Sequence, residues 1–236
     1  MNQEELYRLA KDALREEDLS AGEIPAIDLY VDQILNLVAE KQKEGSERYY
    51  DRQLTKTMIN NYSKDGLITP VKGKKYNKEQ IVQILTIYTL KNTLSIGEIK
   101  RLLVGAYAVE GFGGEDLIKL YDRYLLIKDQ NRGYALEILD ELRRRSELDV
   151  NDEKDMMMTI GSLLSLSAFL KDIAQAMIDE EYPEPEPEEE KKEKEAAEEK
   201  EKAEKKAEKE KAKKEKKEEK KEKKEKKESA EDSSQE

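Results

Sequence analysis

Apolar side chains recur every three or four positions along most of the chain before residue 181, the spacing that predicts amphipathic α-helices. The first such segment covers residues 3–17, and a second covers about 27–41. After a glycine-containing loop at 106–114, the same spacing continues over 115–128, 132–146 and 152–180. The pattern therefore predicts an all-α, mainly helical fold.

Residues that begin and end helices are concentrated between positions 54 and 104. Thr55 is typical of a helix N-cap, whereas Gly66 and Pro70 are typical of a helix stop. Two pairs have the spacing of a capping box: Asn77 with Gln80, and Ser95 with Glu98. This segment is therefore predicted to contain three short helices and one tight basic turn over 70–76.

The chain changes character after three closely spaced prolines, and beyond them it consists almost entirely of Glu, Lys and Ala. Such a segment has no large apolar side chains from which to build a core. Glu and Lys at i,i+4 spacing favour a single helix as the alternative to disorder. We predict an N-terminal helix over 1–24, a compact domain over 25–105, a helical region over 106–182 and a charged tail over 183–236.

Charge is distributed unevenly. The whole chain has a formal net charge of -11 and a pI of about 5.0. Residues 46–104, however, hold 11 Lys or Arg against 5 Asp or Glu, a net charge of +6. A local basic excess of this kind is typical of a nucleic-acid contact surface.

The residue types that the chain lacks restrict its chemistry. It contains no Cys, which excludes thiol nucleophiles, zinc thiolate sites and disulfides. It contains no His, which removes the commonest general base and the commonest metal ligand. We therefore expect no enzymatic activity, no metal and no cofactor.

Two segments bear on location and assembly. The first five residues are polar and acidic, unlike a secretory signal, and predict a cytoplasmic protein. The uncharged stretch 156–170 is shorter than the roughly 18 residues of a membrane span, which favours a buried helix. The apolar region 156–177 could pack against the rest of the chain or against a second copy, so a homodimer is expected.

The helix over 55–65 carries the argument for DNA binding. Its apolar side is predicted to consist of Met58, Ile59 and Tyr62. The residues left to face outward are Lys56, Thr57, Asn60, Asn61 and Lys64. Asn side chains can hydrogen-bond adenine edges, and Lys can contact guanine or phosphate. The basic turn that follows adds Lys72, Lys74 and Lys75 as candidate phosphate contacts.

The same residues resemble a known pattern. The run from Met58 to Pro70, the turn Lys74-Lys75-Tyr76 and the run from Leu94 to Leu103 are similar to the MerR family of winged-helix regulators. Together with 27–33, they resemble a bacterial family of unknown function built on a MerR-like domain. The resemblance covers about 25–105 and implies a dimer, with the second helix in the major groove and the wing on the DNA backbone.

The chain also differs from the MerR pattern at three positions. It has Asn60 and Asn61 where that family typically has Arg and an aromatic residue, and Lys74 where the wing has Arg. Two functions remain as expectations. The first is a transcriptional regulator that binds double-stranded DNA, and the second is a non-catalytic helical module that binds another protein.

Overall fold

The computed structural model describes residues 1–47, 53–71 and 73–184. The described residues form seven α-helices, two short β-strands and one 3-10 turn over Ala21–Glu23. The helices are α1 Gln3–Ala13, α2 Val31–Gln42, α3 Lys56–Lys64, α4 Lys78–Leu90, α5 Ile96–Ala108, α6 Gly114–Arg145 and α7 Glu153–Glu181. The strands are β1 Leu29–Tyr30 and β2 Lys75–Tyr76. The prediction of a mainly helical fold is confirmed.

The chain divides into two units, Met1–Pro183 and Glu184–Glu236. The first contains every helix and strand given above. The predicted charged tail over 183–236 lies outside the described residues except for its first two positions. The domain boundaries predicted at 24 and 105 stay predictions.

The helix starts expected from the sequence have their capping hydrogen bonds. The Gln80 backbone N–H donates to Asn77 Oδ1 at 2.9 Å, and the Asn77 N–H donates to Gln80 Oε1 at 3.0 Å. Ser95 and Glu98 exchange the equivalent pair of hydrogen bonds at the start of α5. These reciprocal contacts satisfy N–H groups that have no partner within the helix.

Helix α4 lies at the centre of the main hydrophobic core. Five of its apolar side chains are at most 3% exposed: Ile81, Val82, Ile84, Leu85 and Ile87. Neighbouring helices contribute further buried side chains to the same core: Ile34, Val38, Ile59, Tyr62, Ile99, Leu103, Leu117 and Tyr121. Since its neighbours cover several faces, α4 is apolar around much of its circumference.

Helix α6 corrects two predicted segments. The sequence predicted helices over 115–128 and 132–146 with a break between them, but α6 continues without interruption from Gly114 to Arg145. Asp129 and Arg132 form an ion pair of 2.9 Å across the expected break. Their i,i+3 spacing suits an exposed helical face, so the polar run does not interrupt the helix.

The segment after α1 also differs from its prediction. The helix ends at Ala13 rather than at residue 17. Beyond it, the carboxylates of Glu16 and Asp18 both contact Lys128 Nζ, at 2.5 and 2.8 Å. The Tyr121 hydroxyl donates to the Leu19 carbonyl at 2.9 Å. The segment over residues 14–19 therefore packs along α6 instead of extending α1.

Helix α7 is largely exposed, which contradicts the buried helix expected from the uncharged stretch. Only Thr159 and Ile178 in it are buried, whereas Leu164 is 67% and Phe169 is 62% exposed. Among the described helices, α7 alone is long and apolar enough to cross a membrane by length and composition, which is weak evidence by itself. Its C-terminal end is attached to α5, where Arg101 forms a 2.7 Å ion pair with Asp179.

Candidate nucleic-acid interface

Helix α3 presents one polar face to solvent. Four exposed residues follow one another at i, i+3, i+4 and i+7: Thr57, Asn60, Asn61 and Lys64. This spacing places them on a single side of the helix. Lys56 is also exposed and lies in the first turn, to one side of that face. All five therefore lie on the surface, as the sequence predicted.

The opposite face of α3 is fixed in the core. Ile59 is fully buried and Tyr62 is 4% exposed, while Met58 is half-buried against the same core. The Tyr62 hydroxyl is buried and has no hydrogen-bond partner among the described residues. Burial raises the pKa of Tyr62 to about 12.

Both ends of α3 are defined by local interactions. Thr55 Oγ1 accepts a hydrogen bond from the Met58 N–H at 3.3 Å at the start. At the end, Gly66 has a φ of 69°, and the Leu67 N–H donates to the Tyr62 carbonyl at 2.9 Å. This is a Schellman motif, which requires a left-handed residue after the helix. A short helix with a defined start and end results.

The basic turn leads into a two-stranded antiparallel sheet. Strand β2 pairs with β1, with Tyr76 opposite Leu29 and Lys75 opposite Tyr30. The turn itself contains Gly73 at a φ of 81°. Lys74 and Lys75 are exposed, whereas Lys72 lies outside the described residues. The Lys75 ammonium lies 5.1 Å from the centre of the Tyr30 ring, a cation–π distance.

A polar network that the sequence did not predict attaches this turn to α4. Gln83 Oε1 accepts from the Thr69 N–H at 2.9 Å, and Gln83 Nε2 donates to the Tyr107 hydroxyl at 2.7 Å. Gln80 Nε2 donates to the carbonyls of Thr69 and Pro70, at 3.1 and 3.0 Å. Both glutamine side chains are buried. The chain therefore leaves α3 along a path fixed by hydrogen bonds.

The network continues to a carboxylate. The Tyr107 hydroxyl donates to Glu79 Oε1 at 2.8 Å. Burial, followed by the contact with Glu79, raises the pKa of Tyr107 to about 12, so the hydroxyl keeps the proton that it donates. Gln80 and Gln83 stand among apolar residues in the sequence of α4, and two amides in such a run are the signal from which a buried network could be predicted.

Four lysines of the candidate interface are exposed in the part of the chain that the structure describes. Within residues 1–47, 53–71 and 73–184, Lys56, Lys64, Lys74 and Lys75 form no ion pair. Other lysines and arginines of the described chain do pair with carboxylates, as Lys128 does with Glu16 and Asp18. These four lysines can therefore meet an external anion without first breaking an ion pair to a described residue, although Lys75 also contacts the Tyr30 ring.

The described candidate residues form two groups. Those on α3 combine amide, hydroxyl and ammonium groups, which can hydrogen-bond base edges. Those on the turn are ammonium groups, which can contact phosphate. Within the part of the chain that the structure describes, no group of three or more carboxylates is placed to hold a metal ion.

Comparison with known proteins gives one similarity. Residues 19–124 match the model of a family described as Domain of unknown function (DUF1836). The matched region includes α2 to α5 and the beginning of α6, and so contains both groups of candidate residues. No curated protein and no solved structure is significantly similar to the chain. These findings name no activity and do not support the expected likeness to MerR regulators; the region 19–124 is similar to a domain family whose function is unknown.

Proposed function

We propose that this chain is a non-catalytic, cytoplasmic protein that binds double-stranded DNA and regulates transcription. In this proposal α3 enters the major groove, and the turn between α3 and β2 acts as a wing on the phosphate backbone. The observation that carries it is the exposed row Thr57, Asn60, Asn61 and Lys64 on a helix whose other side is buried.

Both the rigidity of α3 and the chemistry of its exposed side chains support its role as the helix that enters the major groove. A recognition helix must hold side chains at fixed positions against base edges, because hydrogen bonds to bases weaken steeply with misalignment. Buried Ile59 and Tyr62 and the Gly66 stop supply that rigidity. Asn60 and Asn61 supply groups that can bind adenine, and Lys64 supplies a donor for guanine or phosphate.

The support for the wing is its charge and its attachment. Lys74 and Lys75 are exposed beside Gly73, and the chain before them is held by Gln80 and Gln83. Phosphate contacts supply much of the affinity of DNA-binding proteins and make it depend steeply on salt. The remainder of the chain is acidic, which disfavours other faces for contact with DNA.

A second candidate function is a helical module that binds another protein. One specific observation favours it: α6 and α7 expose many large apolar side chains, among them Leu126, Leu164 and Phe169. Exposed apolar surface of this kind marks protein contacts more often than nucleic-acid contacts. The two functions are compatible, because the apolar residues and the candidate DNA contacts lie on different helices.

DNA binding by the full chain tests the proposal. Fluorescence anisotropy with a labelled duplex would be measured at ~50 and ~200 mM salt for the wild type and for Lys72/Lys74/Lys75→Ala. We expect the triple variant to lose at least about tenfold in affinity and to lower the salt slope by roughly two to three. A matched control, Lys11/Lys119/Lys171→Ala, removes the same charge from α1, α6 and α7.

Comparison of the two triple variants distinguishes DNA binding through the wing from a general effect of positive charge. Because both keep the Lys-rich tail, any binding by that tail is the same in each. Equal losses in the two variants, or no binding by the wild type at low salt, would contradict DNA binding through the wing. Asn60→Ala combined with Asn61→Ala then tests α3, and we expect reduced discrimination among sequences in a randomised duplex pool.

A further inference from the structure

Helix α6 exposes a row of residues with the spacing of a coiled coil. Successive members are four, three, four, three and four residues apart: Leu120, Tyr124, Ile127, Asn131, Tyr134 and Ile138. We call this row the α6 seam. Five of its six members are exposed, with Leu120 at 49%, Ile127 at 46% and Tyr134 at 64%. Alternating steps of three and four are the a/d pattern with which one helix packs along another.

The remainder of the first unit uses a different side of α6. Leu117 and Tyr121 enter the hydrophobic core, and Lys128 contacts the segment after α1. Most of the seam therefore lies beside the face that attaches α6 to its own chain, and Tyr124 borders that face near Lys128 and Asp18. Large apolar side chains that repeat at heptad spacing over 120–138, interrupted only by Asn131, leave an apolar strip in water, which an approaching helix would cover.

Antiparallel pairing of two copies makes the seam complementary to itself. In that arrangement Leu120 packs against Ile138 of the second copy, and Tyr124 packs against Tyr134 of the second copy. Ile127 then faces Asn131 of the second copy, so the four outer layers are filled by large side chains and the two central layers each combine Ile127 with the polar Asn131. The same register places Arg123 beside Glu137 of the second copy, and the twofold axis repeats this opposite-charge contact on the same flank. On the other flank the Lys128 side chains of the two copies are neighbours, and each is paired with Glu16 and Asp18 of its own chain.

Parallel pairing lacks this complementarity. It would bring Arg123 towards Lys128 of the second copy, a contact between like charges. The polar member, Asn131, would face its own equivalent in the centre of the seam, where two amides can hydrogen-bond, so the like-charge contact is what disfavours the parallel orientation. A single polar residue in such a row selects register and partner at some cost in stability.

We propose that two copies of this chain form a homodimer through an antiparallel pairing of their α6 seams. The seam is distinct from the apolar region 156–177, for which the sequence first suggested a dimer contact. It does not depend on DNA binding, because no candidate DNA contact lies on α6. An antiparallel α6 pair would place two copies of α3 in one assembly related by a twofold axis.

The test uses the full chain and a matched pair of variants on the same helix. Ile127 lies on the seam, and Leu126 lies beside it, off the seam and 67% exposed. Light scattering at ~10 to ~100 µM should give the wild type twice its chain mass of 27.4 kDa. Ile127→Asp should weaken dimerisation at least ~100-fold because it places two charges in one apolar seam. Leu126→Asp should leave the dimer intact, and circular dichroism checks that both variants are folded.

Orientation is tested by disulfide formation, since the chain has no natural Cys. Chains carrying Ile127→Cys and Asn131→Cys would be oxidised separately and as a mixture. The antiparallel seam predicts a mixed disulfide that forms faster than either homodimeric disulfide. Faster pairing of Ile127→Cys with itself indicates parallel helices and overturns the proposal.

Three further results would also overturn it. One is a monomeric wild type at ~100 µM. Another is equal weakening by Ile127→Asp and Leu126→Asp. The third is loss of the dimer only in Leu164→Asp, which would assign the contact to α7, where Leu164 is 67% exposed.

Discussion

The side chain of Gln83 shows how one buried residue controls a surface loop. Its Oε1 accepts from both the N–H and the hydroxyl of Thr69, at 2.9 and 3.2 Å, and its Nε2 reaches Tyr107. A buried polar group keeps its place only when its hydrogen bonds are made, because an unmade one costs about 1–3 kcal/mol. The start of the proposed wing is thus fixed by a residue that cannot itself touch DNA.

Replacement of Gln83 by Leu tests that role. We expect Gln83→Leu to lower the free energy of unfolding by about 1–3 kcal/mol, because the Thr69 N–H loses its hydrogen-bond acceptor. Urea unfolding followed by circular dichroism measures the change. Gln3→Leu, at an exposed position of α1, serves as the control and should change stability by less than ~0.5 kcal/mol. Similar stability of the two variants would show that the network contributes little.

Among the helices, glycine has opposite effects on stability at two positions, one inside α6 and one at the end of α3. Gly133 lies inside α6, and a Cβ there would meet no atom within 4 Å. Gly66 lies after α3 with a φ of 69°, a left-handed conformation that side chains disfavour. Glycine therefore weakens α6 through its backbone entropy, whereas it is required at the end of α3.

Alanine at these two positions should change stability in opposite directions. Gly133→Ala is expected to raise the free energy of unfolding by about 0.5–1 kcal/mol, since alanine restricts the unfolded chain and suits a helix. Gly66→Ala is expected to lower it by about 1–2 kcal/mol. Thermal and urea unfolding of the two variants against wild type measure both signs. Destabilisation by Gly133→Ala would indicate that α6 is not regular at this point.

The starts of α4 and α5 could be predicted because the hydrogen bonds that define them join residues only three positions apart. Asn77 with Gln80 and Ser95 with Glu98 form their capping contacts wherever the rest of the chain lies. The break expected near residue 130 was wrong because the polar run there suits an exposed helical face. Local polarity alone does not distinguish a loop from the outer side of a long helix.

The candidate interface was also predictable only in part, because local sequence predicts the faces of a helix but not the pairing of distant strands. The period of α3 identified its exposed residues, since Ile59 and Tyr62 define the opposite side. The pairing of Tyr30 with Lys75 joins residues far apart in sequence, in strands of two residues each. Strands this short show no alternating pattern from which pairing could be predicted.

At the scale of the molecule, Lys128 joins the segment after α1 to α6. Its ammonium contacts the carboxylates of Glu16 and Asp18, and Arg132 donates to the Glu16 carbonyl. Burial, the largest influence, raises the pKa of Asp18 in spite of the attraction of Lys128. These charged groups are thus only partly hydrated. Each one is stabilised in the folded protein by the opposite charge beside it.

Removal of Lys128 should therefore destabilise the protein in a pH-dependent way. Lys128→Met keeps the aliphatic length but leaves two carboxylates without their ammonium, and we expect a loss of about 1–3 kcal/mol at pH 7. Because the folded pKa of Asp18 lies above its usual value, protonation favours the folded state, and this advantage is lost as pH rises through that pKa. The deficit of the variant should shrink as pH falls through the raised pKa of Asp18, because this carboxyl then takes up its proton. Urea unfolding of wild type and variant at pH 7 and pH 4 measures it, with Lys119→Met on the same helix as the control. A deficit that is the same at both pH values would show that the loss comes from packing rather than from unpaired charge.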